Sequence, residues 1–339
     1  MSRATLERFG RIWLPAGAAG PRRFLVRSLF VPHGRGERIA LALSRVAAEE
    51  RVEVDLGAAG APEGERFAPV ASALASVAEK GAPPSWLFVE DYANGRGRSL
   101  VFFFAGAAID APFTVVKVRG AGAGPSLRRE RDALERIGEG GMRGSVPAVR
   151  AFRDENGCEI LALTAVPGAS MYREMKAALL PRARVGLHFD RAAAWLERFQ
   201  SASAGAHGDF WARNLLLDRG AVATVDWENF DAAGDPFADV VHFPLTYVLA
   251  FRWDGRDAST AVERFRRGFV ERNAVSAAVA GWMRRFAVRR GSVEEVRRAF
   301  LAHLERGSAG AIERPQLDPD AWNAMRDLIR GGAPCAFSG

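Results

Sequence analysis

The apolar positions change their period along the chain. Residues 86–92 (WLFVEDY), 99–106 (SLVFFFAG) and 113–118 (FTVVKV) are β-rich runs, and the first two are joined by a Gly-containing connection suited to a hairpin, residues 93–98. A Gly-rich turn at 120–124 leads into SLRRERDALERI, where Leu127, Leu134 and Ile137 mark one helical face and Ser126 is placed as its cap. A further strand is expected at 159–164 (EILALT), and it ends at Val166-Pro167-Gly168, a chain-breaking sequence suited to a hinge. Beyond the hinge the period is helical. Residues 188–200 form the clearest helix, others are expected at 259–273, 276–289, 292–305 and 319–330, and a hairpin at 215–227 turns at Asp218-Arg219-Gly220. Residues 1–80, rich in Ala, Gly and Arg, suggest helices at 38–50 and 67–80 and a short strand at 52–56, but no fold.

The pattern predicts an α+β architecture in three parts: an N-terminal extension (1–80), a β-sheet lobe (81–165) and a mostly helical lobe (166–339). A chain of 339 residues exceeds the size at which one core usually stops growing, which fits two lobes. Hydrophobic residues at 48% and charged residues at 26% are ordinary globular values. The longest apolar stretch, 99–118, is broken by Asp110, Pro112 and Lys117 short of the roughly 20 residues that span a bilayer, so no membrane span is expected. Residues 1–20 lack a compact apolar run ending in a cleavage site, and Cys158 and Cys335 stand far apart, which makes the cytoplasm the default location.

The net charge of +7 and the pI near 10.2 raise the question of nucleic acid. Basic residues such as Arg128, Arg129, Arg131, Arg284 and Arg285 are interleaved with acidic and apolar positions, as on the solvated face of a helix, so no nucleic-acid partner is expected. Arginine accounts for 44 of the 47 basic residues; the lysines are Lys80, Lys117 and Lys176. Lys117 therefore stands out, among Phe113, Val115, Val116 and Val118 in an expected strand.

The sharpest chemical signal is His207-Gly208-Asp209-Phe210-Trp211-Ala212-Arg213-Asn214, with Asp226 twelve residues further on. Asp209 and Asn214 keep the D-x-x-x-x-N spacing of a phosphotransferase catalytic loop, in which the Asp accepts the proton of the substrate hydroxyl and the Asn holds a metal. The hairpin that follows brings Asp226 back beside them. Taken singly, Asp209 reads as a cap, Asn214 as a turn residue and Asp226 as a strand end; in register with His207 and Gly208 they read as a site. Phosphoryl transfer needs charge neutralisation and alignment more than covalent help, so one carboxylate and two metal ligands form a minimal set.

These residues resemble the aminoglycoside phosphotransferase and choline kinase-like superfamily, whose loop reads H-G-D-x-x-x-x-N where protein kinases carry H-R-D. VDWENFDAAGDPFADV at 225–240 resembles its metal-binding segment and the G-D-P-x-x-D motif that follows, and the likeness covers roughly 85–250. The resemblance implies a two-lobed protein kinase-like fold with ATP between the lobes, Mg²⁺ on Asn214 and Asp226, and a small-molecule hydroxyl as acceptor. It also implies that Lys117 paired with Glu130 orients the nucleotide phosphates, and that the hinge at Thr164 and Val166 reads adenine. Further, it implies that His207 supports the loop, that Glu228 lies near metal or acceptor, and that Asp235 and Asp239 buttress the loop through backbone contacts. A turn residue and a helix cap are equal alternatives for the last two, and an edge-strand lysine with an exposed head is the alternative for Lys117.

Other motifs carry less. GAGAG at 120–124 follows a strand, but Pro125 stands where a dinucleotide loop needs its third glycine, and no G-x-x-x-x-G-K-[ST] is present. His33, His188, His242 and His303 form no metal-ligand pattern and read as structural or surface residues. A catalytically silent kinase-like module is the rival reading, disfavoured because base, metal ligands and lysine are all present. A protein kinase is disfavoured by Gly208 and by the lack of A-P-E after Asp226.

Overall fold

The computed structural model describes residues 3–9, 11–25, 50–55, 73, 85–90, 97–120, 123, 126–155, 158–176, 182–203, 205–253, 260–310, 317–331 and 335–337. The helices expected at 38–50 and 67–80, apart from Glu50, which begins a strand, and Ala73, lie outside them, as do most of the connection 93–98 and part of the turn 120–124. The chain divides into two compact units, Met1–Gly168 and Ala169–Gly339.

The first unit is built on an antiparallel sheet. Its strands are β1 (Arg3–Phe9), β2 (Ile12–Pro15), β3 (Glu50–Asp55), β4 (Ser85–Val89), β5 (Arg98–Phe104), β6 (Thr114–Arg119), β7 (Val149–Glu155) and β8 (Cys158–Thr164), in the spatial order β3-β1-β2-β4-β5-β6-β8-β7. The N-terminal residues, to which the sequence pattern gives no fold, thus supply three strands of the same sheet, joined to it where Ile12 and Trp13 of β2 pair with Val89 and Phe88 of β4. Helix α1 (Ala19–Phe24) follows β2, and α2 (Leu127–Ile137) follows β6.

Alternation along the strands sends apolar side chains to both faces. Leu6, Trp13, Trp86, Phe88, Val101, Phe103, Val116, Val118 and Ile160 pack as one cluster, and Phe9, Leu14, Leu25, Leu87 and Phe104 as another. Strand β6 is interior, flanked by β5 and β8, with Lys117 opposite Leu100 and Leu161. Since Val116 and Val118 share the first cluster, Lys117 between them points to the opposite face. Helix α2 starts at Ser126, whose side chain accepts the Arg128 N–H at 3.1 Å and donates to Glu159 of β8 at 2.5 Å, tying the helix start to the sheet.

The second unit contains a small sheet, β11-β10-β9, from β9 (Ala169–Ser170), β10 (Leu215–Asp218) and β11 (Ala221–Thr224). Strands β10 and β11 meet in a two-residue turn in which Arg219 (φ 45°) and Gly220 (φ 97°) both take positive φ, as a type I′ hairpin requires. The helices are α3 (Met171–Lys176), α4 (Arg182–Ala202), α5 (Phe237–Ala250), α6 (Ala261–Phe269), α7 (Ala274–Arg290), α8 (Val293–Ser308) and α9 (Pro319–Arg330).

Helix α5 was not legible in the sequence. It is apolar nearly all round, so no amphipathic period marks it, and it contains Pro244. Proline lacks the N–H that would bond the carbonyl four residues back, that of Val240; the indole N–H of buried Trp282 on α7 donates to that carbonyl instead, at 2.7 Å. A neighbouring helix thus supplies the hydrogen bond that α5 cannot make for itself.

Candidate active site

The loop His207–Asn214 is fixed through its backbone. His207 and Gly208 donate their N–H groups to the two carboxylate oxygens of Asp239, at 2.6 and 3.1 Å, and Asp239 lies in the first turn of α5, 1% exposed. Just before the loop, Ala206 and Asp231 exchange backbone hydrogen bonds at 2.9 and 3.0 Å. Gly208 has a φ of 83°, and a Cβ built on it would lie 2.2 Å from the carbonyl oxygen of Asn229, so positive φ and close approach both demand glycine. Asp239 thus buttresses the loop, whereas Asp235 accepts the Phe237 N–H at 2.9 Å and acts at the start of α5.

Beneath the loop lies an aromatic layer. The His207 ring is 4.2 Å from that of Trp227, and Phe210 stacks on Trp195 at 5.4 Å, which in turn stacks on Phe199. His207 is fully buried, and its hydrogen bonds fix its tautomer. The Asp209 N–H donates to Nδ1 (3.3 Å), so the proton sits on Nε2 and is donated to the carbonyl of Val225 (3.2 Å). Burial pushes this imidazole down to about 4, against the pull of the Asp209 and Asp226 charges, so it is neutral at pH 7. Burial likewise pushes the Asp239 carboxyl up to about 7, with the two N–H donors pulling the other way and Asp209 and Asp235 adding to the rise.

Within the loop, Nδ2 of Asn214 donates to the backbone carbonyl and to Oδ2 of Asp209, both at 3.0 Å. This sets the amide's orientation; its other end, Oδ1, accepts no hydrogen bond among the described residues. Asp226 follows the hairpin at a φ of 67°, a left-handed conformation that Asp tolerates better than most residues, and Val225 beside it donates to the Asn214 carbonyl at 3.0 Å. A carboxylate and an amide oxygen are hard donors of the kind that suits Mg²⁺, which takes few protein ligands and keeps phosphate oxygens and water for the rest. No group of three or more His, Cys, Asp or Glu side chains suited to a metal occurs among the described residues, so such an ion would depend on these two oxygens and on ligands from outside the chain.

His242, which the sequence pattern reads as structural, lies beside Asp209. It lies three residues after Asp239 on α5, with Nε2 3.4 Å from Oδ1 of Asp209. The signal was present, since i and i+3 share a helical face, but it becomes readable only once α5 is known to be a helix.

In the sheet unit, Nζ of Lys117 lies 2.7 Å from both carboxylate oxygens of Glu130, and the two side chains are 9% and 1% exposed. Lys117 is therefore neither on an edge strand nor exposed at its head. At the end of β8, the Thr164 N–H goes to the Ala148 carbonyl (2.9 Å) and the Ala165 N–H to that of Phe113 (3.2 Å), so neither amide is open to a ligand. The Val166 N–H makes no hydrogen bond among the described residues.

No family model and no curated protein sequence matches the chain. Among solved structures it is similar to the PknI kinase domain of Mycobacterium tuberculosis, with 16% identity, a TM-score of 0.35, and coverage of 52% of this chain and 76% of that one. No described helix is long and apolar enough to cross a membrane.

Proposed function

We propose that the chain is an ATP- and Mg²⁺-dependent phosphotransferase of kinase-like fold, acting on a hydroxyl of a small molecule of the aminoglycoside, sugar or amino alcohol class. The observation that supports this best is the Asp209–Asn214 hydrogen bond inside a loop whose backbone is clamped by Asp239. One oxygen of the Asp209 carboxylate is thereby held while an amide oxygen next to it stays available.

In this reading Asp209 aligns the acceptor hydroxyl and takes its proton as the hydroxyl oxygen bonds to the γ-phosphorus and the bond to ADP breaks. Asn214 and Asp226 would hold Mg²⁺, which supplies charge neutralisation at the phosphates. Lys117, oriented by Glu130, contacts the α and β phosphates, and the Thr164 carbonyl and Val166 N–H read adenine. Neutral His207 holds the Asp209 amide and carries no charge of its own that would offset the base. Gly208 and the absence of an A-P-E segment favour a small acceptor over a protein.

The test is ADP formation from ATP and Mg²⁺ against a panel of aminoglycosides, amino alcohols, sugars and nucleosides. Asp209→Ala should lower turnover by the roughly 10²- to 10⁴-fold expected for a lost general base while ATP affinity stays unchanged. Turnover that survives the substitution removes Asp209 from this role.

A further inference from the structure

A carboxylate that serves as base must present one oxygen in a fixed direction, and a carboxylate held at a single oxygen still swings about its Cβ–Cγ bond. Asn214 holds Oδ2 of Asp209. Oδ1 faces Nε2 of His242 at 3.4 Å, and the His242 side chain is 9% exposed. The ring packs against a neighbour on α8: His303 stands edge-on to it at 5.6 Å. The same helical turn carries Asp239, so one stretch of α5 holds the loop backbone and faces the second oxygen of its carboxylate.

We propose that His242 is a positioning residue for Asp209. Its Nε2–H restrains Oδ1 while Asn214 restrains Oδ2, so that the carboxylate keeps the attitude in which a remaining lone pair meets the acceptor hydroxyl. The 3.4 Å separation is long for a hydrogen bond, and contacts of this kind commonly tighten when substrate binds. The inference rests on the phosphotransfer reading above.

The experiment measures ADP formation by the full chain, with MgATP and the acceptor panel, for the wild type, Asp209→Ala, His242→Met, His242→Gln and the double variant Asp209→Ala/His242→Met. Methionine fills the site without a donor; glutamine returns an N–H at nearly the same reach. The expected result is a kcat roughly 10- to 100-fold lower in His242→Met, the scale of a small misplacement of a catalytic group, with the KM for ATP unchanged. Glutamine should restore most of the rate, and Asp209→Ala/His242→Met should be no slower than Asp209→Ala. Should His242→Met fail to fold, His242→Asn, whose amide is too short to reach, takes its place in the contrast with glutamine. Wild-type turnover in the donor-free variant, equal losses in both variants, or a loss that adds to that of Asp209→Ala overturns the proposal. No ADP formation by the wild type with any acceptor, or full activity in Asp209→Ala, removes the phosphotransfer reading and the inference with it.

Discussion

In the sheet unit Lys117 is gripped at 2.7 Å by both oxygens of Glu130 and sealed from water; in the helical unit Asp209 is held less tightly, by Asn214, and its side chain stays 26% exposed. Regular elements place the first pair: an interior strand and the helix that follows it. A loop places the second, and that loop is rigid because Asp239 holds its backbone. The difference separates two kinds of charge. The Lys117–Glu130 pair is bound up with the stability of its unit, because neither charge can be left buried alone. Asp209 can afford exposure, because its geometry is maintained by groups other than itself.

The harshest test of that division is Glu130→Ala. Leaving the Lys117 ammonium buried without its carboxylate should cost about 3–5 kcal/mol in denaturant unfolding. A loss below about 1 kcal/mol would show that the ammonium finds water or other partners as readily.

The pH dependence of the loop comes next. His207 titrates at about 4 in the fold against 6.5 ordinarily, so on acidification the unfolded chain takes the proton first; its contribution is full above pH 6.5 and is lost as pH falls to 4. Asp239 runs the other way. With a folded value of about 7 against 3.8, the fold takes the proton first, and its contribution is full below pH 3.8 and lost as pH rises to 7. Between pH 4 and 6.5 the two slopes oppose each other and the wild type stays nearly level with respect to this pair. Asp239→Asn removes one slope, and as pH falls from 6.5 to 4 its unfolding free energy should then drop by about 3 kcal/mol more than the wild type's. A variant that tracks the wild type would mean that Asp239 is ionised throughout.

Gly208→Ala should cost about 1–3 kcal/mol from left-handed strain alone, with the overlap on the Asn229 carbonyl adding to it, and turnover should fall with it because the amide aimed at Asp239 must move. Thermal unfolding and ADP formation measured together check both halves. The smallest effect sharpens the comparison most: Asp209→Ala should change stability by less than about 1 kcal/mol, since it removes a charge that weighs on buried Asp239. A large destabilisation would make Asp209 a structural residue like Glu130.

The sequence alone determined what local rules govern. The spacing from His207 to Asn214, the hairpin turn at Arg219-Gly220 and the helix 127–137 with its Ser126 cap all depend on neighbours within a few residues. Lys117 stood out because the chain uses lysine so rarely, and Glu130 because the expected helix placed it thirteen residues on. Tertiary structure decided whatever depends on partners far away in the chain. Strands β1 and β2 pair locally, but their partners on either side, β3 and β4, lie far along the chain, and short strands carry little pattern of their own. Helix α5 is apolar all round and contains Pro244, and the carbonyl that the proline leaves open is satisfied by Trp282, 42 residues away. With α5 in place Asp239 becomes a clamp rather than a cap, and His242 comes to face Asp209, since a side chain's role follows from what packs against it and local sequence does not encode that.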